Sequence, residues 1–198
     1  MDIMVIVYAI LAYLIGSIPS GLIIGKTFFN TDVRQYGSKN IGATNTYRVI
    51  GLKAALPVFL CDALKGAAGV ILLSSYGPMY MILGGILAMM GHNWSIFLGF
   101  KGGRGVATGL GVLIALSPLV ALLCFLVWGI IVYFTKLVSL GSIVAAALVP
   151  VLMYVTGESY WFVGFGGLAA LFVIVRHWDN IKRLLAGNEL KVERIKKD

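Results

Sequence analysis

A short polar stretch, residues 100–108 with the sequence Phe-Lys-Gly-Gly-Arg-Gly-Val-Ala-Thr, interrupts an otherwise apolar part of the chain. Glycines let backbone N–H groups come close to a bound group, and Lys101 and Arg104 supply positive charge. The apolar residues that follow predict a helix, and the first turn of a helix attracts anions. The stretch is therefore consistent with a phosphate-binding loop, although it lacks the spacing of a nucleotide-binding P-loop. A plain turn whose cations only set membrane topology is the alternative.

Further side chains that could bind phosphate lie in other polar segments, and few carboxylates accompany them. Cations, hydroxyls and amides suit the binding of phosphate groups. Only two carboxylates, Asp32 and Asp179, are close to these segments in sequence. Their scarcity disfavours an enzyme with paired acids, a magnesium-dependent phosphotransferase or a metal site. The members of the polar set are Ser38, Asn40, Thr44, Asn45, Arg48, His92, Asn93, Lys101, Arg104, Ser139, Ser142, His177 and Asn180.

Neither histidine completes a recognisable catalytic triad. Asp179 is two residues from His177, and side chains at i and i+2 of a helix point apart. His92, which precedes Asn93, could equally be a structural histidine at the membrane interface. Both histidines therefore keep a structural interpretation, and His177 is the stronger catalytic candidate because Asn180 lies one turn away.

The composition places these residues in a membrane protein. The 198 residues are 60% hydrophobic and 12% charged, and their mean hydropathy is +0.95, whereas soluble domains carry about 25% charged residues. We expect a single integral membrane domain that covers residues 1–198. The net charge is +8, but the basic residues flank apolar runs, which favours lipid headgroups or anionic substrates over nucleic acid. Cys61 and Cys124 lie within apolar runs, so we expect neither a disulfide nor a metal.

The apolar runs predict an all-α polytopic membrane protein with seven transmembrane helices. A single helix over residues 106–134 would leave the basic C-terminal tail on the opposite side from the basic loops at 26–53 and 99–105. A turn at Ser117 and Pro118 removes this conflict and splits the run into two spans. The N-terminus is then outside and the C-terminus is cytoplasmic. The predicted spans cover about residues 3–25, 54–74, 79–90, 106–117, 119–134, 137–155 and 160–175.

Two charged residues, Asp62 and Lys65, lie inside the second predicted span. Their spacing of three residues puts them on one helix face, where they can form an ion pair. Charges within a span are costly and are expected to face the interior of the bundle. We interpret the pair as a brace between helices, with a direct catalytic role as the alternative.

Several segments together resemble one family of membrane enzymes. They are residues 16–20 (Gly-Ser-Ile-Pro-Ser), 37–45 (Gly-Ser-Lys-Asn-Ile-Gly-Ala-Thr-Asn), 91–93 with 101–108, and 177–181 with the basic residues that follow. On these motifs, over essentially its whole length, the chain resembles the bacterial acyl-phosphate–glycerol-3-phosphate acyltransferase (PlsY) family. As in that family, no H-x-x-x-x-D motif is present, because Phe97 and Lys182 lie five residues after the two histidines.

The resemblance implies transfer of a fatty acyl group from acyl phosphate to the sn-1 hydroxyl of glycerol 3-phosphate. The products would be lysophosphatidic acid and inorganic phosphate, in the first step of bacterial phospholipid synthesis. It also implies a multi-pass protein of the bacterial inner (plasma) membrane, with seven spans and an active site on the cytoplasmic face. The expected partners are acyl phosphate, glycerol 3-phosphate and membrane lipids, with no nucleic acid, cofactor, metal or obligatory protein partner.

The resemblance also assigns roles to individual residues. The expected catalytic residues are His177, Ser38 and Asn180. The residues expected to bind glycerol 3-phosphate are Ser38, Arg48, Lys101, Ser142, His177 and Asn180. The residues expected to bind acyl phosphate are Lys101, Gly102, Gly103, Arg104 and Gly105. The base that deprotonates the hydroxyl is either His177 or the phosphate dianion of the substrate itself.

Two functions of other classes also fit parts of the sequence. A small carrier for an anionic metabolite would use glycine-broken helices and a cationic pocket. The polar residues gather on one side of the predicted bundle, however, and the external turns carry only Glu158. A structural membrane subunit would not need so many clustered polar groups. Both alternatives therefore explain less of the sequence than an acyltransferase does.

Overall fold

The computed structural model describes residues 2–194, and all regular secondary structure within that range is helical. Lys196 and Lys197, two basic residues of the predicted cytoplasmic tail, lie outside the described residues. Single-turn 3-10 helices occupy some of the connections. The α-helices of the described range are α1 Ile3–Ser17, α2 Ser20–Phe29, α3 Ala43–Val49, α4 Leu52–Leu72, α5 Pro78–Asn93, α6 Val106–Leu116, α7 Pro118–Thr135, α8 Val138–Val155, α9 Tyr160–Arg176 and α10 Trp178–Leu185.

Four segments are each long and apolar enough to cross a membrane. Two are α7 and α8, and the other two, Leu52–Tyr76 and Pro78–Leu98, are α4 and α5 together with the 3-10 helices that follow them. The pair α1 and α2 and the pair α9 and α10 add two candidate spans if each pair counts as one, and these pairs are bent by 46° and 61°. Helix α6 is apolar but only 11 residues long. The described residues therefore contain four to six candidate spans by length and composition. The count of seven, which adds α6, and the sides of the termini stay predictions.

Large apolar side chains cover the outside of the bundle. Phe134 on α7 is 77% exposed, and Leu171 on α9 is 60% exposed. Soluble monomers rarely expose extended apolar patches, so this surface fits a lipid environment. The interior between α4, α5, α6 and α9 is filled by Val70, Ile82, Met89, Val112, Leu116, Phe165 and Val173. Both observations agree with the predicted multi-pass membrane protein.

The first apolar run is broken at Ile18 and Pro19, between α1 and α2. The break frees backbone carbonyls that a continuous helix would have bonded. Lys65 Nζ donates to the Ile18 carbonyl at 2.9 Å, and Ser95 Oγ donates to the Ser17 carbonyl at 2.5 Å. Neighbouring elements therefore satisfy the polar groups that the break exposes, as an interruption within a membrane requires.

Helices α6 and α7 meet at the predicted turn, where Ser117 precedes Pro118 at the start of α7. The Ser117 hydroxyl donates to the Glu158 carboxylate, which lies in the connection between α8 and α9. The connections at this end of the bundle, residues 73–77, 117 and 156–159, contain no lysine or arginine. Basic residues occupy the connections at the opposite end, which supports the charge argument for a cytoplasmic face there.

Helices α4 and α6 approach each other so closely that a side chain at Gly111 has no room. A Cβ at this position would overlap the carbonyl oxygen of Ala63. We expect Gly111→Ala to lower the free energy of unfolding by about 1–3 kcal/mol, because the two helices must move apart. Thermal unfolding in detergent measures this. Gly109→Ala in the same helix is the matched control, since its Cβ would meet only the Met89 methyl at 3.5 Å. Equal stability of the two variants would contradict the prediction.

Candidate active site

A cavity of about 460 Å³ extends into the bundle from the end that carries the basic connections. It collects residues from the polar segments between α2 and α4 and between α5 and α6, and from α8, α9 and the C-terminal tail. The predicted site residues that line it are Ser38, Arg48, Arg104, Gly105, Ser142 and His177. The predicted site residues outside its lining are Lys101, Gly102, Gly103 and Asn180.

The lining of the cavity changes from polar to apolar with depth. On α9, Phe165 precedes His177 by about 18 Å of helix, at 1.5 Å per residue. On α8, Val149 lies about 10 Å along the helix from Ser142. A cavity with one cationic end and one apolar end can hold an amphiphile with an anionic head and a hydrocarbon chain. The apolar part is lined by Leu113, Cys124, Phe125, Trp128, Val149, Phe165, Ala169, Ala170 and Val173.

Arginine side chains make the polar end of the cavity strongly cationic. Burial lowers the pKa of Arg104 to about 10; Glu189 opposes this shift, and the nearby Arg183, Arg48 and Arg176 add to it. Burial also lowers the pKa of Arg48, again with Glu189 opposing. A guanidinium keeps its proton at neutral pH under these conditions, so the cluster carries more positive than negative charge. Such a cluster attracts phosphate groups, which arginine binds with two parallel hydrogen bonds.

The glycine loop, defined here as residues 99–105, is anchored to the last turn of α5. The N–H groups of Gly102 and Gly103 donate to the carbonyls of Asn93 and His92 at 3.1 and 3.0 Å. Arg176 Nη2 donates to the Gly103 carbonyl at 2.9 Å. These two N–H groups are therefore engaged within the fold and do not face a phosphate in the cavity. What the loop presents to the cavity is Arg104, Gly105 and the first turn of α6.

Lys101 is exposed at the surface of the glycine loop. It does not line the cavity. The sequence could not separate Lys101 from Arg104, because both are cations of one glycine-rich turn. The fold distinguishes them, because Arg104 lines the cavity and Lys101 does not. Gly105, which follows Arg104, has a left-handed backbone (φ 78°) and directly precedes α6.

His177 lies at the bend between α9 and α10 and is 2% exposed. Its Nδ1 is 2.8 Å from the carbonyl of Val173. Because a carbonyl oxygen can only accept, Nδ1 carries the proton and Nε2 keeps a lone pair. His177 also lines the cavity. The arrangement therefore offers a neutral imidazole whose second nitrogen can accept a proton.

Asn180 lies one turn after His177 and is 2% exposed. Its side-chain Nδ2 donates to Glu189 Oε1 at 2.6 Å. It does not line the cavity. Asn180 thus supports the C-terminal tail next to the site, in addition to any contact that a bound substrate makes with it.

Ser38 is held in place by Asn45. The Asn45 Oδ1 accepts from the Ser38 N–H at 2.8 Å. The Asn45 Nδ2 donates to the carbonyls of Val33 at 2.8 Å, Tyr36 at 3.2 Å and Asn40 at 2.9 Å. One buried amide therefore shapes the loop that brings Ser38 to the cavity. The sequence placed Asn45 in the polar set but did not predict this supporting role.

Glu189 is the residue that the sequence analysis missed. Its carboxylate accepts from Ser139 Oγ at 3.0 Å, from Asn180 Nδ2 at 2.6 Å and from Arg183 Nε at 2.8 Å. The side chain is 4% exposed, and Glu189 lines the cavity. The sequence does not distinguish Glu189 from Glu193, the other glutamate of the basic tail, and the contacts above show that this tail is part of the site.

The C-terminal tail crosses the polar end of the bundle. Arg48 Nε donates to the Lys191 carbonyl at 2.9 Å, and its Nη2 donates to the Leu190 carbonyl at 2.6 Å. The Val192 N–H donates to the Lys136 carbonyl at 2.9 Å. The tail therefore joins the segment before α4 to the connection between α7 and α8, and it positions Glu189.

The two carboxylates that the sequence placed near the site lie elsewhere. Hydrogen bonds from Arg34 hold the pKa of Asp32 below its usual range, and Lys26 lies 3.3 Å from the same carboxylate. Asp179 has an 82% exposed side chain and lies 3.9 Å from Lys182. Neither lines the cavity. Among the described residues, no group of three or more His, Cys, Asp or Glu is arranged to hold a metal ion.

The predicted ion pair within α4 is present. Asp62 Oδ1 lies 2.7 Å from Lys65 Nζ. The pair does not line the cavity, and Lys65 also contacts the break between α1 and α2. Its position agrees with a brace between helices. His92, which lies 3.7 Å from the same carboxylate oxygen, does line the cavity.

Comparison with known proteins identifies close relatives over nearly the full chain. A family model described as glycerol-3-phosphate acyltransferase matches residues 6–187. A glycerol-3-phosphate acyltransferase of Fusobacterium nucleatum is 45% identical over 186 residues, which are 93% of this chain and 96% of the relative. A glycerol-3-phosphate acyltransferase 2 of Moorella thermoacetica is 48% identical over 184 residues, which are 92% of this chain and 95% of the relative.

The fold is also similar to two crystal structures of PlsY (YgiH), an integral membrane glycerol 3-phosphate acyltransferase. The glycerol 3-phosphate form superposes with a TM-score of 0.89 and is 40% identical, with 94% of each chain covered. The lysophosphatidic acid form superposes with a TM-score of 0.87 and is 39% identical, with the same coverage.

Proposed function

The chain belongs to the glycerol-3-phosphate acyltransferase family, and on that premise we propose that it uses acyl phosphate to acylate the sn-1 hydroxyl of glycerol 3-phosphate. The products are lysophosphatidic acid and inorganic phosphate. Membership of the family makes the chain an integral membrane acyltransferase of phospholipid synthesis. The relatives of known structure are glycerol 3-phosphate and lysophosphatidic acid forms, which supports the same substrate and product here.

The observation that carries this proposal is the amphipathic cavity. Its polar end brings together two arginines, three serines and two histidines, and its apolar end runs between α6, α7, α8 and α9. A fatty acyl chain fits the apolar part, and phosphate groups fit the arginines. An acyl phosphate has its reactive carbonyl between these two halves. The carbonyl would therefore lie near His177, at the boundary of the polar and apolar lining.

The reaction requires little from the protein beyond the positioning of its two substrates and the stabilisation of negative charge. Acyl phosphate is a mixed anhydride, so its phosphate is a good leaving group. The sn-1 oxygen attacks the acyl carbonyl carbon, and the bond between that carbon and the phosphate oxygen breaks with its electron pair on phosphate. The hydroxyl proton passes to His177 Nε2 or to a phosphate dianion. Holding both substrates in line and stabilising the developing negative charge can supply much of the rate.

The positions of the side chains in the cavity lining support the following proposed roles. Arg104 and the first turn of α6 bind the phosphate of the acyl donor. Arg48, Ser38 and Ser142 bind glycerol 3-phosphate. Asn180 orients its neighbours through Glu189, and either His177 or a phosphate dianion of the substrate accepts the proton.

In this proposal, the other residues of the glycine loop do not surround the phosphate with their backbone N–H groups. Gly102 and Gly103 act by shaping the loop that carries Arg104, because their N–H groups are already bonded to α5. Lys101 meets anionic substrates at the mouth of the cavity. We place this mouth on the cytoplasmic face of the bacterial inner membrane, with α6 as a short fourth span of seven.

The donor specificity can be tested with the protein purified in detergent. Glycerol 3-phosphate is supplied with palmitoyl phosphate, palmitoyl-CoA or palmitoyl acyl carrier protein in parallel reactions. We expect lysophosphatidic acid to form with palmitoyl phosphate alone, together with an equal amount of inorganic phosphate. Arg104→Ala protein prepared in the same way serves as the control for contaminating activity.

Other outcomes would change the assignment. Activity only with a thioester donor would show that the phosphate site at the glycine loop is wrongly assigned. A lack of activity with every donor would contradict the proposed reaction. It would favour a carrier for an anionic metabolite, which uptake of glycerol 3-phosphate into proteoliposomes would then detect.

A further inference from the structure

A cluster of ionisable groups is buried inside the bundle, beneath the glycine loop. Asp62 Oδ1 lies 2.7 Å from Lys65 Nζ and 3.7 Å from His92 Nδ1. The side chains of Asp62, Lys65 and His92 are 3%, 5% and 4% exposed, respectively. An unpaired charge at this depth is costly, so the members of the cluster must stay together.

The cluster joins three separate elements. Lys65 reaches the Ile18 carbonyl at the break between α1 and α2. His92 is in the last turn of α5, and its ring packs so tightly on Gly103 that a Cβ there would overlap His92 Nε2. The backbone carbonyl of His92 also accepts the Gly103 N–H at 3.0 Å. The position of His92 therefore decides where the glycine loop lies.

We infer that Asp62 is a positioning residue for the acyl-donor site, which it controls through His92 and the glycine loop. The Asp62 carboxylate lies 3.7 Å from His92 Nδ1, a separation longer than a hydrogen bond, so its negative charge acts on the ring by electrostatic attraction. This attraction favours the ring orientation in which Nδ1 faces Asp62 and Nε2 faces Gly103. Arg104 follows Gly103 directly, so a shift of the ring moves the guanidinium that lines the cavity. The identity of the donor rests on the proposed function, whereas the control of the loop by Asp62 does not.

A simpler role for Asp62 would be to neutralise Lys65, and a pair of variants separates the two. In Asp62→Asn alone, Lys65 is left as an unpaired buried cation, which can impair folding. In the double variant Asp62→Asn with Lys65→Met, neither charge of the pair is present, and the carboxylate of Asp62 no longer lies beside His92. Lys65→Met alone removes the same hydrogen bond to the Ile18 carbonyl and keeps the carboxylate beside His92, so it is the matched reference. If Asp62 only neutralises Lys65, the double variant is at least as active as Lys65→Met.

If Asp62 positions the loop, the double variant folds but stays defective. We expect its kcat/KM for palmitoyl phosphate to be about 10–100-fold below that of Lys65→Met, because small misplacements of a binding group have effects of this size. The KM for glycerol 3-phosphate is expected to stay within about twofold, since Arg48 and Ser38 do not contact the cluster. Asp179→Asn removes a carboxylate from an exposed pair of the same spacing and is expected to match the wild type.

A readout that needs no activity tests the control of the loop directly. Trypsin cleaves after Lys101 and Arg104, and mass spectrometry measures the rate at each site under limited digestion. We expect faster cleavage at both sites in the double variant than in Lys65→Met, the wild type or Asp179→Asn. A cleavage rate or a kcat/KM in the double variant equal to that of Lys65→Met would overturn the inference. If wild-type protein does not use acyl phosphate at all, the proposed function fails, and the cleavage rates still test Asp62.

A second route avoids changes to Asp62 altogether. Gly103→Ala is expected to lower kcat/KM for palmitoyl phosphate by at least about tenfold, because the new Cβ meets the His92 ring. In a His92→Ala background the ring is absent, and the same change at Gly103 is expected to have less than about a threefold effect. Equal effects of Gly103→Ala in both backgrounds would show that the ring does not set the position of the loop.

Discussion

Replacing Arg104 by alanine is expected to lower kcat/KM for acyl phosphate by about 10²–10³-fold. Arg104 is the guanidinium of the glycine loop, and it lines the cavity next to the first turn of α6. Two parallel hydrogen bonds from a partly buried guanidinium to a leaving phosphate strengthen as negative charge builds up on that phosphate. The loss is therefore expected in kcat as well as in KM.

Steady-state kinetics with palmitoyl phosphate, at saturating glycerol 3-phosphate, measure this effect. Arg104→Lys should be intermediate, because an ammonium keeps the charge but cannot form the paired hydrogen bonds. Lys182→Ala removes an exposed cation of α10 and should resemble the wild type. If Arg104→Ala instead raised only the KM for glycerol 3-phosphate, the two phosphate sites would have to be exchanged between Arg104 and Arg48.

Replacing His177 by alanine is expected to lower kcat by about 10²–10⁴-fold, with a smaller change in the KM for glycerol 3-phosphate. The Val173 carbonyl fixes the proton on Nδ1, which leaves Nε2 as the basic atom at the cavity wall. A general base removes a proton in the transition state, so its loss is felt mainly in turnover. Single-turnover measurements with palmitoyl phosphate distinguish this step from product release.

Added imidazole separates a chemical role of His177 from a structural one. If Nε2 is the base, free imidazole should restore part of the activity of His177→Ala, because the vacated space adjoins the cavity. His177→Phe fills the same space and should not be rescued. If His177→Ala weakened substrate binding but left turnover normal at saturating substrate, the phosphate dianion of the substrate would be the base.

Local properties of the chain predicted the apolar helices and much of the cavity lining. Runs of apolar residues locate the helices, and the turn at Ser117 follows from Pro118, because a proline restricts the backbone of the residue before it. The pair of Asp62 and Lys65 was predictable for the same reason, since a spacing of three residues brings side chains together on any helix. The lysines and arginines outside the predicted spans gather at one end of the predicted bundle, which indicated where the polar segments converge. Arg48, Arg104, Ser142 and His177 do line one cavity.

Only the tertiary structure decided which groups in those segments face the cavity. Glu189 became part of the site because Arg48 binds the tail 142 and 143 residues away, and no periodicity in the sequence records a contact of that range. The N–H groups of Gly102 and Gly103 turned inward because α5 offers them carbonyls, although the same glycines could have faced a phosphate. Sequence patterns report the preference of each residue for a helix, a turn or a membrane, whereas the choice among competing partners depends on which elements the packing brings within hydrogen-bond distance.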